Sequence, residues 1–181
     1  LQVAQLTRLG RAADKRYSVD HKTGNLIKLE VSEKDLELIQ SAAANCKPIM
    51  SRDALENFIH DLKVSADIKA LLNKLLDHSM NIAGTAFNIG KKIIEMLVFF
   101  VNKFPNMALG ILIGAVLGAI FSSIPLIGWA LSSVVMPILI LLGAGVGLWQ
   151  DLKDKALKDS ILEVTEKTFG SFKNFTAPTQ S

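Results

Sequence analysis

Between residues 32 and 103 the apolar positions of this chain recur three and four apart, with charged residues in the gaps. That is the pattern of helices that bury one face. Ser32 reads as an N-cap, with Glu33 and Asp35 in the first turn, where the helix dipole favours acids. Leu36, Ile39, Ala42 and Ala43 then form a stripe that ends before Lys47 and Pro48. Ser51 caps a second segment, with Leu55, Phe58, Ile59 and Leu62 on one face. Ser65 caps a third, where Ile68, Leu71, Leu72, Leu75, Leu76 and Met80 oppose Lys69, Lys74 and Asp77. The small, glycine-bearing residues 81–90 either break that helix or continue it. Residues 91–103, KKIIEMLVFFVNK, are apolar in the middle and charged at both ends, and Pro105 stops them. They are too short to span a bilayer, so a core helix and an interfacial helix both fit.

At residue 104 this alternation stops. The next 47 positions, 104–150, hold no Asp, Glu, Lys, Arg or His. As one helix they would run about 70 Å, roughly twice a hydrocarbon core of ~30 Å. The run Ser122-Ser123-Ile124-Pro125-Leu126-Ile127-Gly128 has turn chemistry. It predicts two apolar helices, 106–121 and 129–149, closed as a hairpin with an uncharged tip. The positions expected to enter a membrane are Met107, Leu109, Ile111, Ile113, Val116, Ile120 and Phe121 in the first arm. Ile124, Pro125, Leu126 and Ile127 form the tip, and Trp129, Leu131, Val135, Ile138, Ile140, Leu142 and Trp149 the second arm.

Glycines add a packing surface to this apolar one. Gly110, Gly114 and Gly118 stand four apart on one helix face, a small-xxx-small spacing that lets another helix approach closely in lipid. Their partner is either the second arm, which carries Gly143, Gly145 and Gly147, or the same arm of another copy. Pro137 predicts a kink in the second arm unless a neighbour satisfies the freed carbonyl. Trp129 and Trp149 bracket that arm about 30 Å apart, as headgroup-level anchors would. Lys91, Lys92 and Lys103 precede the hairpin, and Lys153, Lys155 and Lys158 follow it. Both flanks are thus expected to stay on one side, as interface anchors, while the uncharged tip crosses.

Mixed charge returns over residues 151–175, where Leu152, Leu157, Ile161, Val164 and Phe169 predict an amphipathic helix ending near Gly170. A polar tail, 176–181, is expected to be disordered. At the other end, Val3, Leu6 and Leu9 predict a short helix over residues 1–15. Two β-prone runs, 16–19 and 25–31, flank Asp20-His21-Lys22-Thr23-Gly24 and predict a β-hairpin. Two strands alone are marginal in water, so this hairpin must pack on something. The whole, residues 1–181, reads as one mainly α domain. A bundle of amphipathic helices surrounds a hydrophobic helical hairpin, with a small N-terminal β-hairpin beside it.

Composition changes little of this. Half of the residues are hydrophobic and one fifth charged, and the net charge is only +3. Lysines and acids alternate, with no basic stripe and interleaved aromatics, so nucleic acid is not an expected partner. The mild positive bias suits anionic lipid. Cys46 is the single cysteine, and His21, His60 and His78 lack ligand spacing, so no disulfide, metal or other cofactor is expected. The N-terminus has no apolar core of a signal peptide. Because the chain begins with Leu, it reads as a processed or excised fragment, which fits a domain cut from a longer delivery protein and equally an artificially trimmed chain.

Catalytic chemistry is thinly represented, and no catalytic residue is assigned. Arg16 and His21 form an R-x4-H string, a spacing that occurs on a helix in RNases of the HEPN type. Here it falls on a predicted strand and turn, and reads as coincidence. The acids Glu30, Glu33, Asp35 and Glu37 suit a helix start without catalysis. There is no GxSxG, P-loop or HExxH.

The order of these parts resembles the pore-forming domain of colicins: amphipathic helices, a charge-free hairpin with small residues, then a charged helix. The run GAGVGLWQDLKDKALKDSI, where the second arm meets that helix, is similar in style to the colicin ending. The predicted β-hairpin and the short stretch before residue 104 depart from the colicin pattern. The resemblance implies a membrane-inserting, pore- or channel-forming toxin domain that depolarises a target bacterial membrane. It also implies delivery from a producing bacterium, with the lipid bilayer as partner, and leaves room for an immunity protein; a homo-oligomer in the membrane stays one of the two uses of the glycine face. The alternative is a constitutive integral membrane protein, its hairpin anchoring an interaction or scaffold module.

Overall fold

In a computed structural model of the chain, which describes residues 14–19, 26–31, 33–82, 85–143 and 152–174, the architecture is mainly helical. Strands β1 (Asp14–Val19) and β2 (Leu26–Val31) pair antiparallel, Asp14 opposite Val31 and Val19 opposite Leu26. Asp14 and Lys15 therefore belong to a strand, where the sequence predicts the end of a helix. The rest of that predicted helix, the turn with His21 and Gly24, and the expected cap Ser32 lie outside the described residues, as does the tail 176–181.

Helix α1 (Glu33–Asn45) opens a set of short amphipathic helices. Ile39 and Ala42 are buried, as their stripe predicts. Ser51 Oγ accepts from Ala54 N at 3.2 Å and starts α2 (Arg52–Asp61), which buries Leu55 and Ile59. Ser65 Oγ accepts from Ile68 N at 3.3 Å and starts α3 (Ala66–Leu76), which buries Ile68, Leu72, Leu75 and Leu76. Each cap satisfies a backbone donor that a helix start leaves open.

The stretch after α3 breaks the helix with a second small hairpin. Strand β3 (Met80–Ile82) pairs antiparallel with β4 (Thr85–Phe87), and the cross-strand partners Met80 and Phe87 are both 2% exposed. β3 lies beside β1 and β2, which supplies the packing that an isolated hairpin lacks. Helix α4 (Ile89–Lys103) follows and buries Ile93, Ile94, Met96, Leu97 and Phe100, so the apolar segment before Pro105 is a core helix. Gly90 lets α4 begin against the end of α3: its N–H donates to His78 O at 3.0 Å, and a Cβ would stand 1.7 Å from Leu75 O.

The hairpin consists of α5 (Leu109–Ser123) and α6 (Pro125–Leu141). Its turn is not the seven-residue stretch that the sequence predicts. Ile124 alone joins the helices, as C-cap of one and N-cap of the other, with φ −121° and ψ 89°. Pro125 takes the first position of α6, where the missing N–H has no helical partner to lose. Ser122 and Ser123 remain in the last turn of α5, and Ser122 Oγ donates to Gly118 O at 2.6 Å. α6 therefore begins four residues earlier than predicted and continues through Pro137. It ends before Gly143, whose φ of +71° suits a residue without Cβ.

Helix α7 (Lys155–Phe169) is capped by Asp154, whose Oδ1 accepts from Leu157 N at 3.0 Å. It ends at Gly170, as predicted, and passes into a 3-10 turn, Gly170–Asn174. There Phe172 is fully buried, edge-on to Phe87 at 5.2 Å between ring centres. α4, α6 and α7 all pack on α5, while α3 covers α6.

Candidate functional site

α5 has no exposed stripe in its central turns. Nine consecutive residues, Leu112, Ile113, Gly114, Ala115, Val116, Leu117, Gly118, Ala119 and Ile120, are buried. A helix between protein and water shows alternating burial; one that is apolar and covered all round sits in a core or in lipid. Its five large aliphatic side chains contribute on the order of 10 kcal/mol of gross transfer free energy. In α6 the buried positions are Leu126, Ile127, Gly128, Ala130, Leu131, Val134, Val135, Ile138 and Leu139.

Of the predicted inserting residues, Ile113, Val116, Ile120, Ile124, Leu126, Ile127, Leu131, Val135 and Ile138 lie in the core. Met107, Leu109, Phe121, Trp129 and Leu142 pack against it half-buried. Pro125, Ile111 and Ile140 are exposed, Ile140 at 67%. The tip, predicted as a leading edge, is thus held inside the bundle by Ile124, Leu126 and Ile127. Trp129 sits in the second turn of α6 rather than at its start, and Trp149 lies outside the described residues.

The glycines divide by use. Gly114 and Gly118 are buried within α5. Gly110 faces the end of the second arm, with Leu142 Cδ2 at 3.6 Å from a Cβ position, so the arms meet there with room for a methyl group. Gly143 has nothing within 4 Å of such a position; its backbone conformation calls for glycine there. Gly128, which the sequence assigns to the turn, is the tight one. A Cβ would stand 2.6 Å from Phe121 O, so its absence lets α6 close against the last turn of α5. Gly145 and Gly147 lie outside the described residues.

Among the flanking lysines, Lys91 and Lys92 are half-buried on α4, and Lys92 pairs with Glu95 at 3.3 Å. Glu95 Oε2 also accepts from Ile49 N and Met50 N, each at 2.5 Å, tying the loop after α1 to α4. Lys103 Nζ donates to Ser160 Oγ at 3.0 Å, which joins the end of α4 to α7 across the hairpin. Lys153 and Lys155 are exposed, and Lys155 pairs with Asp159 at 3.5 Å. Such a solvated pair contributes about 0.5 kcal/mol or less.

One contact of the sheath, between the end of α1 and α7, has no counterpart in the sequence reading. Cys46 Sγ donates to Thr168 O at 3.3 Å between α1 and α7. Burial pushes its thiol up to about 12, against a smaller downward pull from Lys92. Thr165 and Thr168 are buried polar residues on the same helix as Ser160. Their one sequence signal is that they fall on the apolar side of α7, where a polar residue needs a reason.

No helix of the described residues is long and apolar enough to cross a membrane. Among those residues no group of three His, Cys, Asp or Glu could hold a metal ion. Arg16 stands on β1, and His21, the other end of the R-x4-H string, is outside the described residues. The resemblance to pore-forming colicins rests on the residue pattern alone. Comparisons with family models, curated proteins and solved structures give no match.

Proposed function

We propose that this chain is a membrane-inserting domain of the pore- or channel-forming toxin kind, depolarising a target bacterial membrane. The observation that carries this reading is the burial of α5 on every side over nine residues, inside a 47-residue stretch without charge. A helix that is apolar all round gains about as much from lipid as from a protein core. What decides its location is the cover, here amphipathic helices whose polar faces keep the bundle in water.

As folded, α5 and α6 measure about 22 and 25 Å, less than a hydrocarbon core of ~30 Å. In this reading insertion therefore lengthens the arms into the uncharged residues that flank them. The test is release of a dye or potassium from anionic liposomes by the purified chain, from mildly acidic to neutral pH. Release that rises with protein concentration supports the proposal; vesicles left intact throughout that range sink it. The alternative, a constitutive hairpin anchor for a scaffold module, gains nothing from the sheath, since a permanent anchor has no need of a protein cover. That reading predicts a chain that needs detergent at every step.

A further inference from the structure

An open cleft of about 980 Å³ lies between the end of α1, the outer face of α4 and α7. Its size is at the top of the roughly 300–1,000 Å³ range of pockets that take small molecules. The wall is mostly apolar, with Met96 and Phe99 from α4, Val164 from α7, and Pro48 and Ile49 from the loop after α1. Ile49 is 89% exposed and Phe99 45%. Single exposed hydrophobic residues are ordinary; two around one cleft form a surface with something to gain from a cover.

Charge says what kind of cover. Lys47, Lys92, Lys103 and Lys167 stand in the same wall against Glu95 and Glu163, a net charge of +2. Glu95 is occupied by Lys92 and two backbone N–H groups. Lys103, by contrast, is held by the neutral Ser160 hydroxyl and lies 5.4 and 5.8 Å from the ring centres of Phe99 and Phe104. The result is an ammonium group beside an apolar wall, with a hydroxyl where a carboxylate could have paired with it.

We propose that this cleft binds a single-chain anionic amphiphile. Its tail would lie over Met96, Phe99 and Val164, and its carboxylate or phosphate head would meet Lys103 and the rim lysines Lys47 and Lys167. The apolar wall selects a chain and the lysines select an anion. A head group on Lys103 also competes with the Lys103–Ser160 bond, which ties together two helices that cover α5. Binding itself does not depend on the insertion proposed above, and it is measured without a membrane.

The experiment is calorimetric titration of the whole chain with octyl, decyl and dodecyl phosphate, each below its micelle concentration. Saturable binding is expected, tightening about fourfold per methylene buried. Dodecanol should bind roughly tenfold or more weakly than dodecyl phosphate, and added salt should weaken the phosphate alone. Ile49→Asp, Phe99→Asp and Lys103→Gln should each lower affinity about tenfold while the far-ultraviolet dichroism stays unchanged. The first two positions are exposed, so those variants report on the cleft and not on folding. Equal affinity for dodecanol, or affinity untouched in Phe99→Asp and Lys103→Gln, overturns the proposal. So does binding to anionic vesicles or to an acidic amphipathic peptide with none to the monomeric phosphates.

Discussion

Replacing Gly128 by alanine strains the hairpin at its closest approach. The new Cβ would stand 2.6 Å from Phe121 O, 3.4 Å from Phe121 C and 3.5 Å from Phe121 Cα. All three are backbone atoms, which cannot swing aside as the end of a side chain can. Restoring ordinary contact requires α5 and α6 to part by about 0.8 Å, a gap that forfeits a quarter to a half of each affected dispersion well. The turn offers no slack, because Ile124 is its only residue. Overpacking of this kind costs about 1–3 kcal/mol, and straining the Gly128 N to Ile124 O bond, 2.9 Å long, adds up to ~1 kcal/mol. Removing glycine from a helix returns up to ~1 kcal/mol. The expected net loss is therefore about 1–3 kcal/mol.

Equilibrium unfolding in guanidinium, followed by dichroism and tryptophan fluorescence, measures it, and Tm should fall by roughly 2–4 °C per kcal/mol. Gly110→Ala is the matched control. Its Cβ meets only Leu142 Cδ2, at 3.6 Å, so propensity governs and stability should hold or rise by up to ~1 kcal/mol. If Gly128→Ala proves as stable as Gly110→Ala, the close approach at Phe121 does not close the hairpin and the reasoning fails.

Three further outcomes follow from the same contacts. Gly90→Ala should be the most damaging glycine substitution, losing more than ~3 kcal/mol, because its Cβ would stand 1.7 Å from Leu75 O and the Gly90 N to His78 O bond would be lost; the unfolding midpoint measures this. Thr165→Val should raise stability by about 1 kcal/mol, since Thr165 Oγ1 is buried with no partner among the described residues; a lower midpoint would reveal one. Cys46, pushed up to about 12 from its ordinary 9.0, binds its proton more tightly folded than unfolded. Its contribution is therefore complete below pH 9 and declines by ~1.4 kcal/mol per pH unit from there toward pH 12. The alkaline stability curves of wild type and Cys46→Ala should accordingly converge over that window, and parallel curves would contradict it.

The amphipathic helices were legible because each carries its own signals. Ser51 and Ser65 announce α2 and α3, and the stripes after them mark the buried faces. The apolar hairpin was legible from missing charge alone. Its turn was not, because proline and glycine each serve two ends. Pro125 can stop one helix or start the next, and only the fold shows that it starts α6. Gly128 can bend a chain or make room, and the carbonyl it makes room for belongs to Phe121 in the opposite arm. Strands of three residues, as in β3 and β4, hold too few alternations to show a period. The cleft was least visible of all: Lys103 and Ser160 are 57 residues apart, and no local spacing connects them.

The proposed insertion makes the sheath, rather than the hairpin, the part that sets its rate. α3 lies on α6, and α2 lies on α4, itself a cover of α5, so loosening α3 bares the second arm and loosening α2 frees a cover of the first, with neither arm altered. Ser51→Ala and Ser65→Ala each remove one capping hydrogen bond at about 1 kcal/mol. If opening of the bundle precedes entry into lipid, each kilocalorie lost should speed liposome release by up to about fivefold, and the double variant by up to about twenty-five-fold. The hairpin sequence is the same in all of these proteins, so a difference in its affinity for lipid cannot produce the change. Gly128→Ala does alter an arm, and it should depart from the line that the two cap variants define. A release rate that stays flat while the unfolding midpoint falls would remove opening of the sheath from the path into the membrane.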